Sequence, residues 1–353
     1  MSTKHSKLDA LARSFAGPFA FCGIAWAHHG DRHLVAHAAP GVHATADSLF
    51  RAASISKIVT GQTYLIAAKA SGLANPLDIN ASDLLGFDCS HPIGNTPIRM
   101  GQLLAHTAGL DDVIVPSDMS LPNWFAQSRP FLSTAPGTCF SYSNTGYVLI
   151  AAAIEALAKT SFAQAAQEFF LTPKGLAGGF NWVGLSEQAR ATALPTFRKS
   201  PAGFIPQVDH DLPPTGLVIS SGASMAEPPA SVAAYAPQGG LRLSLRSMLD
   251  LASKLPTLDA RAIWSCEDTR GETLGGVFES YGAGIQIFKS PAFYPRPLIG
   301  HFGSAYGFKG AVWHDPVAEL SFAYALNGLD EGDESDAFSP AELKILDIIG
   351  APA

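Results

Sequence analysis

The sequence predicts an α+β fold, in which an α/β sandwich lobe with an antiparallel sheet carries an inserted all-helical lobe. Strand-like patterns occur near both ends of the 353-residue chain, whereas helical patterns dominate its middle. A hydrophobic content of 47% is ample for one large core. We therefore expect a single domain, with residues 1–65 and 239–353 in the α/β lobe, residues 66–238 in the mainly helical lobe, and a cleft where the two lobes meet.

The N-terminal residues predict a helix followed by a β-hairpin. Apolar positions place a short helix over residues 8–15. Strands over residues 19–27 and 33–37 flank a turn at His29-Gly30-Asp31, where glycine accepts backbone conformations that other residues avoid. This hairpin is the N-terminal contribution to the predicted sheet.

The middle of the chain predicts helices and one irregular stretch. Apolar residues at three- and four-residue spacing indicate helices over residues 54–70, 100–106, 146–159 and 162–170. The stretch 195–237 contains eight prolines and few periodic apolar positions. It is expected to be irregular, surface-running structure, which often shapes binding sites.

Regular structure is predicted to return after residue 239. A helix over residues 245–255 has Ser244 as its N-cap. A last helix over residues 340–349 has Ser339 as its N-cap and a proline in its first position. Three strands are predicted between these helices, over residues 282–288, 308–314 and 320–326.

Charge and composition argue against several classes of function. The formal net charge is −7 and no cluster of Lys and Arg occurs, so nucleic acid is not an expected partner. No run of about 18 apolar residues is present, so no membrane span is expected. Four widely spaced cysteines without a CxxC pair favour free thiols and predict a cytoplasmic protein. Secretion is the alternative, although Asp9, Pro18 and Gly23 interrupt the pattern of a signal peptide.

The tetrapeptide Ser54-Ile55-Ser56-Lys57 places a hydroxyl and an amine one helical turn apart. A serine hydroxyl is a weak nucleophile without a base beside it. At a helix start, free backbone N–H groups can position such a serine and stabilise an oxyanion. Burial and the helix dipole lower the pKa of a lysine there, and a depression of about three units corresponds to about 4 kcal/mol. Alone, the tetrapeptide is more often a helix cap beside an exposed amine.

Two further motifs follow in a fixed order. Tyr142-Ser143-Asn144 offers a phenol and an amide, and His301-Phe302-Gly303 lies where a glycine-flanked strand could close on a substrate. Taken singly they say little, since a tyrosine before a helix is often a core residue and a second His-x-Gly begins at His28. In combination, the three motifs indicate an active site for acyl transfer through a serine ester.

The three motifs resemble the signature set of the serine β-lactamase and penicillin-binding-protein superfamily. The resemblance covers nearly the whole chain and is closest to the branch that contains class C β-lactamases, D-aminopeptidases and esterases. It implies a β-lactamase/transpeptidase-like fold and a serine hydrolase. The matching segments are LFRAASISK at residues 49–57, LLAHTAGL at 103–110, PGTCFSYSN at 136–144, GGL at 239–241 and GHFGS at 300–304.

The resemblance also implies roles for the polar residues of the first two motifs. Ser54 would be acylated and Lys57 would activate it. Tyr142 would pass a proton to the leaving group and later activate water, and Asn144 would bond to Lys57 or to the substrate carbonyl. Whether the amine or the phenol is the general base stays open, because coupled groups titrate as a unit.

The third motif would contribute to substrate binding and to the oxyanion hole. The resemblance places His301 and Gly303 beside the substrate, and the backbone N–H groups of Ser54 and Ser304 would bind the oxyanion. Losing one such donor typically costs about 100- to 1000-fold in rate. No metal or organic cofactor is expected, since His33 and the other N-terminal histidines lack further ligands at a characteristic spacing.

The third motif also departs from the Lys-Thr-Gly of dedicated β-lactamases, in which the lysine and the hydroxyl attract a substrate carboxylate. His301 supplies no fixed charge, and Phe302 replaces the hydroxyl with apolar bulk. A carboxylate without charged partners loses about 1.5–3 kcal/mol per hydrogen bond. Replacement cations are expected among Arg198, Lys199 and Lys309.

We therefore expect hydrolysis of a small ester, or acyl transfer from one. The alternatives are a D-amino-acid amidase or peptidase, a weak β-lactamase and, in another class, a catalytically inactive scaffold. The pocket walls are expected from residues 121–131, from the proline-rich stretch and from around Phe302. Trp124, Phe125 and Phe204 would then favour a hydrophobic acyl group. His106 is expected to cap carbonyls at a helix end rather than to act in catalysis.

Overall fold

A computed structural model gives the arrangement of these elements. It describes residues 3–116, 118–207, 231–267, 270–271, 276–330 and 338–352. The predicted α+β fold is confirmed, because helices cover both faces of an antiparallel sheet and further helices form the middle of the chain.

An eight-stranded antiparallel sheet is built from both ends of the chain. Strands from residues 21–38 pair with strands from residues 264–327, and β1 lies between β2 and β15. In sheet order the strands are β2 (Asp31–Ala38), β1 (Phe21–His28), β15 (Leu320–Asn327), β14 (Phe308–Asp315), β13 (Leu298–Ala305), β12 (Gln286–Phe288), β11 (Ser280–Tyr281) and β9 (Trp264–Ser265).

Alternate side chains of each strand enter two separate cores. On one face, apolar residues pack against α9 (Leu245–Lys254), and on the other they pack against α1 (Thr3–Phe15) and α10 (Pro340–Gly350). The predicted caps are confirmed: the Ser244 hydroxyl accepts the N–H of Ser247, and the Ser339 hydroxyl accepts the N–H of Glu342.

The remaining helices lie between β2 and β9 in sequence, and the pair of α2 and α6 forms their centre. Residues 56–64 of α2 are buried, because this helix is covered by α6, by α7 and by the turn at Ala283 and Gly284. The helices are α2 (Ser56–Ala70), α3 (Ala81–Leu85), α4 (Met100–Leu104), α5 (Leu121–Ser128), α6 (Asn144–Ala158), α7 (Phe162–Ala166) and α8 (Glu187–Ala191).

Short strands join this helical region to the rest of the fold. The division at residues 66 and 238 stays a prediction, but β5, from within the helical region, pairs with β8. The short strands are β3 (Phe50–Arg51), β8 (Leu241–Leu243) and β5 (Gly179–Phe180) in one sheet, β6 (Phe197–Ser200) with β7 (Gly203–Pro206), and β4 (Cys139–Phe140) with β10 (Arg270–Gly271).

Three predicted elements need correction. Residues 53–55 form a 3₁₀ turn and α2 begins only at Ser56, because the chain turns sharply after β3. The stretch 195–237 is not wholly irregular, since Gly203 has a φ of +117° and supports the β6–β7 hairpin; residues 208–230 lie outside the described part. The predicted strand 282–288 is reduced to β12, because Gly284 has a φ of +78° and interrupts it.

The four cysteines are free thiols. Within the described ranges, no single helix is long and apolar enough to cross a bilayer. Two consecutive helices bent by 80°, Asn144–Ala158 and Phe162–Leu171, together have the length and composition of a broken span.

Candidate active site

Ser54 lies in the 3₁₀ turn that connects β3 to α2, on the wall of a cleft of about 350 Å³. The preceding Ala53 has a φ of +48°, a left-handed conformation that costs a non-glycine residue about 1–2 kcal/mol. The hydroxyl of Ser56 stabilises the turn by donating to the carbonyl of Ala53 and accepting the N–H of Leu241. The turn leaves Ser54 half-buried and directed at the cleft.

Lys57 is fully buried, and its amine lies within hydrogen-bond distance of three neutral oxygens. Its Nζ lies 3.2 Å from Oγ of Ser54, 2.7 Å from Oδ1 of Asn144 and 3.1 Å from the carbonyl oxygen of Gln238. Burial lowers the pKa of Lys57 from 10.5 to about 7, while the negative charge of Asp112 acts in the opposite direction. A substantial fraction of the amine is therefore neutral at neutral pH, as a general base requires.

Tyr142 lies directly beside this amine. The Nζ of Lys57 is 4.6 Å from the centre of the Tyr142 ring, within the range of a cation–π contact. The other face of the site is formed by His106, whose ring centre lies 4.3 Å from that of Tyr142. The structure thus brings the predicted nucleophile, amine and phenol together.

His106 has a structural role, as expected, but with a different partner. Its Nδ1 accepts the N–H of Ser143 over 3.0 Å, instead of the ring donating to helix carbonyls. Burial, with the charge of Lys57, holds the pKa of His106 well below its ordinary value, so the ring is neutral. It fixes the backbone between Tyr142 and Asn144.

Gly303 and Ser304 lie on β13, and Gly303 packs against the turn that holds Ser54. A Cβ atom at Gly303 would be 2.5 Å from the carbonyl oxygen of Ala52 and 3.2 Å from the nitrogen of Ser54, so only glycine permits this approach. Ser54 and Ser304 both line the cleft. Their backbone N–H groups remain the predicted oxyanion donors.

His301 is not on the wall of the cleft. It is fully buried, with Nε2 2.8 Å from the hydroxyl of Tyr281 and Nδ1 bonded to the carbonyl of Phe302. Since a carbonyl only accepts, Nδ1 carries the proton and Nε2 accepts from the tyrosine. Burial and the charge of Lys57 lower the pKa of His301 to about 3. Its predicted contact with substrate is therefore replaced by a neutral ring that supports Tyr281.

The walls of the cleft agree with the prediction in part, since Ala233 belongs to the stretch 195–237 and Ser304 to Tyr306 follow Phe302 closely. Trp124 and Phe125 are core residues of α5, and Phe204 does not line the cleft. The apolar wall residues outside the predicted regions come from the Ser54 turn, from the loop after α4 and from α6, and are Ala53, Val113, Ile114, Val115 and Val148. Loop positions of this kind carry no periodic signal in the sequence.

The charged groups of the cleft were also missed by sequence reasoning. Lys309 is buried 3.5 Å from Glu342 and cannot meet a substrate. Arg51 and Asp112 line the cleft instead. The carboxylate of Asp112 accepts the backbone N–H and the Nδ2 of Asn144 over 2.9 and 2.7 Å. The one sequence signal for Asp112 is its place just after the LLAHTAGL segment.

Comparison with known proteins decides the family. The model of the family described as Beta-lactamase matches residues 13–344. The chain belongs to the beta-lactamase family. Enzymes of this family are hydrolases that act through a serine, which agrees with the arrangement of Ser54 and Lys57.

Curated relatives of this beta-lactamase family member match only part of the chain. Penicillin-binding protein 4 of Amycolatopsis lactamdurans is 30% identical over 157 residues, which are 42% of this chain and 41% of that protein. A probable fimbrial assembly protein FimD, serogroup H1, of Dichelobacter nodosus is 33% identical over 146 residues, 39% of this chain and 36% of its own length. The matched part thus spans about two fifths of these relatives.

Solved structures share the fold over nearly the whole chain. D-amino acid amidase from Ochrobactrum anthropi SV3, in complex with D-phenylalanine, is 18% identical with a TM-score of 0.72, covering 99% of both chains. A beta-lactamase/D-alanine carboxypeptidase from Yersinia pestis has a TM-score of 0.70 at 14% identity, covering 98% of this chain and 97% of that one. SurE has a TM-score of 0.68 at 21% identity, covering 98% and 73%. At such identities the likeness shows the fold alone.

Proposed function

We propose that this protein hydrolyses small esters, or transfers their acyl groups, through a covalent ester at Ser54. The observation that carries the proposal is the buried amine of Lys57, 3.2 Å from the Ser54 hydroxyl and with its pKa lowered to about 7. An amine in this state removes a proton from a hydroxyl far more readily than an exposed lysine does.

The reaction proceeds in two steps that use the same groups. The pair of Lys57 and Tyr142 takes the Ser54 proton as Oγ attacks the ester carbonyl, and the backbone N–H groups of Ser54 and Ser304 bind the oxyanion. The C–O bond to the leaving alcohol then breaks, and the alcohol receives the proton through the Tyr142 phenol. Water, deprotonated by the same pair, then attacks the acyl carbonyl; the bond to Ser54 Oγ breaks, the acid is released, and Oγ takes back the proton from the pair.

The cleft favours an ester with a compact apolar acyl group. Its lining includes Val113, Ile114 and Val115, whereas Phe302 is 9% exposed and packs with Phe278 and Phe338 instead of facing a substrate. No hydroxyl therefore occupies the place where β-lactamases attract a carboxylate. We propose a small-molecule substrate, with neither nucleic acid nor membrane as partner, and action in the cytoplasm.

One observation favours a second substrate class. The carboxylate of Asp112 is exposed and lines the cleft. It would attract the ammonium group of an amino-acid amide or peptide. Because a D-amino acid amidase has a similar fold, amides of D-amino acids should be tested beside esters as substrates.

Burst kinetics with p-nitrophenyl acetate and butyrate test the proposal, with Ser54→Ala as the control. We expect a stoichiometric burst that the variant lacks and no turnover of nitrocefin. If ammonia is released from D-phenylalanine amide faster than nitrophenol is released from the esters, an amidase function would be favoured. Rapid nitrocefin turnover would identify a β-lactamase, and absence of labelling by a fluorophosphonate would identify an inactive scaffold.

A further inference from the structure

Asp112, in the loop between α4 and α5, binds the first residues of α6 from outside the helix. Its Oδ1 accepts the backbone N–H groups of Asn144 and Thr145 over 2.9 and 3.3 Å. The hydroxyl of Ser143 accepts only the N–H of Gly146. The remote carboxylate therefore caps N–H groups that have no partner within the helix, at its positive end.

The second oxygen of the same carboxylate fixes the side chain of Asn144. Oδ2 accepts from Nδ2 of Asn144 over 2.7 Å, which leaves Oδ1 of the amide facing Nζ of Lys57, also over 2.7 Å. A flipped amide would place its oxygen against the carboxylate and its NH₂ group against the amine. The contact between the amide oxygen and the carboxylate would be repulsive, so Asp112 determines which end of the amide Lys57 meets.

The orientation of this amide decides where the lone pair of Lys57 points. A neutral amine has two N–H bonds and one lone pair, and Lys57 has two acceptors that cannot donate, Oδ1 of Asn144 and the carbonyl of Gln238. Once both N–H bonds are used, the lone pair is left for the third neighbour, the hydroxyl of Ser54 at 3.2 Å. A flipped Asn144 would instead compete for the lone pair.

We propose that Asp112 is a positioning residue for acylation: it holds the Asn144 amide so that the lone pair of Lys57 is directed at Ser54. This inference rests on the proposed acyl-enzyme but not on the identity of the substrate. Asp112 also has an opposing effect, since its negative charge favours the ammonium form of Lys57. The two effects are separable in the pH dependence of Ser54 acylation. Orientation changes the maximal rate at high pH, whereas charge changes the pH at which half of that rate is reached.

The rate of Ser54 labelling by a fluorophosphonate, measured from pH 5.5 to 9.5, tests the proposal. Asp112→Glu keeps the charge but displaces the oxygens, so we expect the plateau rate to fall about 10- to 100-fold with an unchanged midpoint. Asp112→Asn should lower the plateau similarly and also move the midpoint to lower pH. The neighbouring exposed Asp111→Asn, a matched loss of charge, should stay within about twofold of wild type.

The same measurement in an Asn144→Ala background separates positioning from folding. With the amide absent, Asp112→Glu should change the plateau by less than about threefold. An undiminished loss in that background, or a wild-type plateau in Asp112→Glu, would overturn the proposal while leaving the acyl-enzyme intact. If wild-type Ser54 is not labelled at all, the proposed function fails and this inference fails with it.

Discussion

Two buried lysines differ in what their amines meet. Lys57, in the cleft, and Lys309, between the sheet and α10, are 0% and 1% exposed. The first contacts neutral oxygens of a hydroxyl, an amide and a carbonyl, whereas the second lies 3.5 Å from the carboxylate of Glu342. A buried amine can lose its proton at low cost only where no opposite charge compensates it.

The residues around Lys309 stabilise the contact between the sheet and α10. Glu342 also accepts the hydroxyl of Tyr324 and the N–H and hydroxyl of Ser339, so its carboxylate ties β14 and β15 to the start of α10. A buried lysine can thus act as a base when its neighbours are neutral, or stabilise the fold when its neighbour is a carboxylate.

Removing each amine in turn gives the largest expected difference. Lys57→Met should lower the rate of Ser54 acylation about 100- to 10,000-fold, because a general base is lost. Lys309→Met should leave acylation per folded molecule close to wild type, because its amine lies against Glu342 of α10 and not beside Ser54. Burst amplitude and labelling rate measure both, and equal losses in the two variants would contradict the distinction.

Breaking the buried ion pair should affect stability instead. Glu342→Gln leaves the ammonium of Lys309 without its opposite charge, and we expect a loss of about 3–5 kcal/mol in the free energy of unfolding. Urea unfolding measures the change. The exposed Glu319→Gln is the matched control and should stay within about 0.5 kcal/mol. A small effect of Glu342→Gln would show that the pair contributes little.

The acylation rate should depend on pH through the amine of Lys57. Because the neutral amine is the active form and its pKa is lowered to about 7, the rate should rise with pH and level off above that value. Well below it, the loss should be about tenfold per pH unit, so the rate at pH 5 should be about 100-fold below the plateau. Labelling in constant-ionic-strength buffers tests this, and a midpoint near pH 10 would contradict it.

The free energy of unfolding should also depend on pH through Lys57, in the range above its folded pKa. The folded pKa of Lys57 lies below its unfolded value of 10.5, so the unfolded chain binds more protons between about pH 7 and 10.5. Stability therefore rises with pH across this window. Relative to Lys57→Met, the wild type should gain about 1 kcal/mol per pH unit between pH 7.5 and 9.5. A constant difference would mean that Lys57 is charged when folded.

The two lysines also show what sequence reasoning can reach. Lys57 was identified because a motif with fixed spacing places it beside Ser54, and Tyr142 and Asn144 because their motif follows it in the order that the family resemblance implies. Lys309 was misassigned as a possible substrate cation. Its partner Glu342 lies on another element, and the contact depends on how α10 crosses the sheet.

The burial of His301 and the contribution of residues 112–115 to the cleft wall could not be predicted, for a related reason. A strand gives alternate residues opposite faces, but the sequence alone does not show which neighbours cover a face. The burial of His301 beside Tyr281 and the contact of residues 112–115 with α6 depend on tertiary packing between elements that are distant in the sequence. Helix caps, by contrast, are local, and the predictions for Ser244 and Ser339 were confirmed.

The pairing of β1 with β15 sets the order of events when the protein is made. Phe21 pairs with Asn327, so the nascent hairpin of β1 and β2 waits for a strand that is synthesised about 300 residues later. Until then, the apolar face of β1, including Ile24 and Trp26, has no sheet partner beyond β2. Such distant pairing slows folding and leaves an unpaired strand edge that is prone to aggregation. The protein should therefore depend on chaperones more than a helical bundle of equal length.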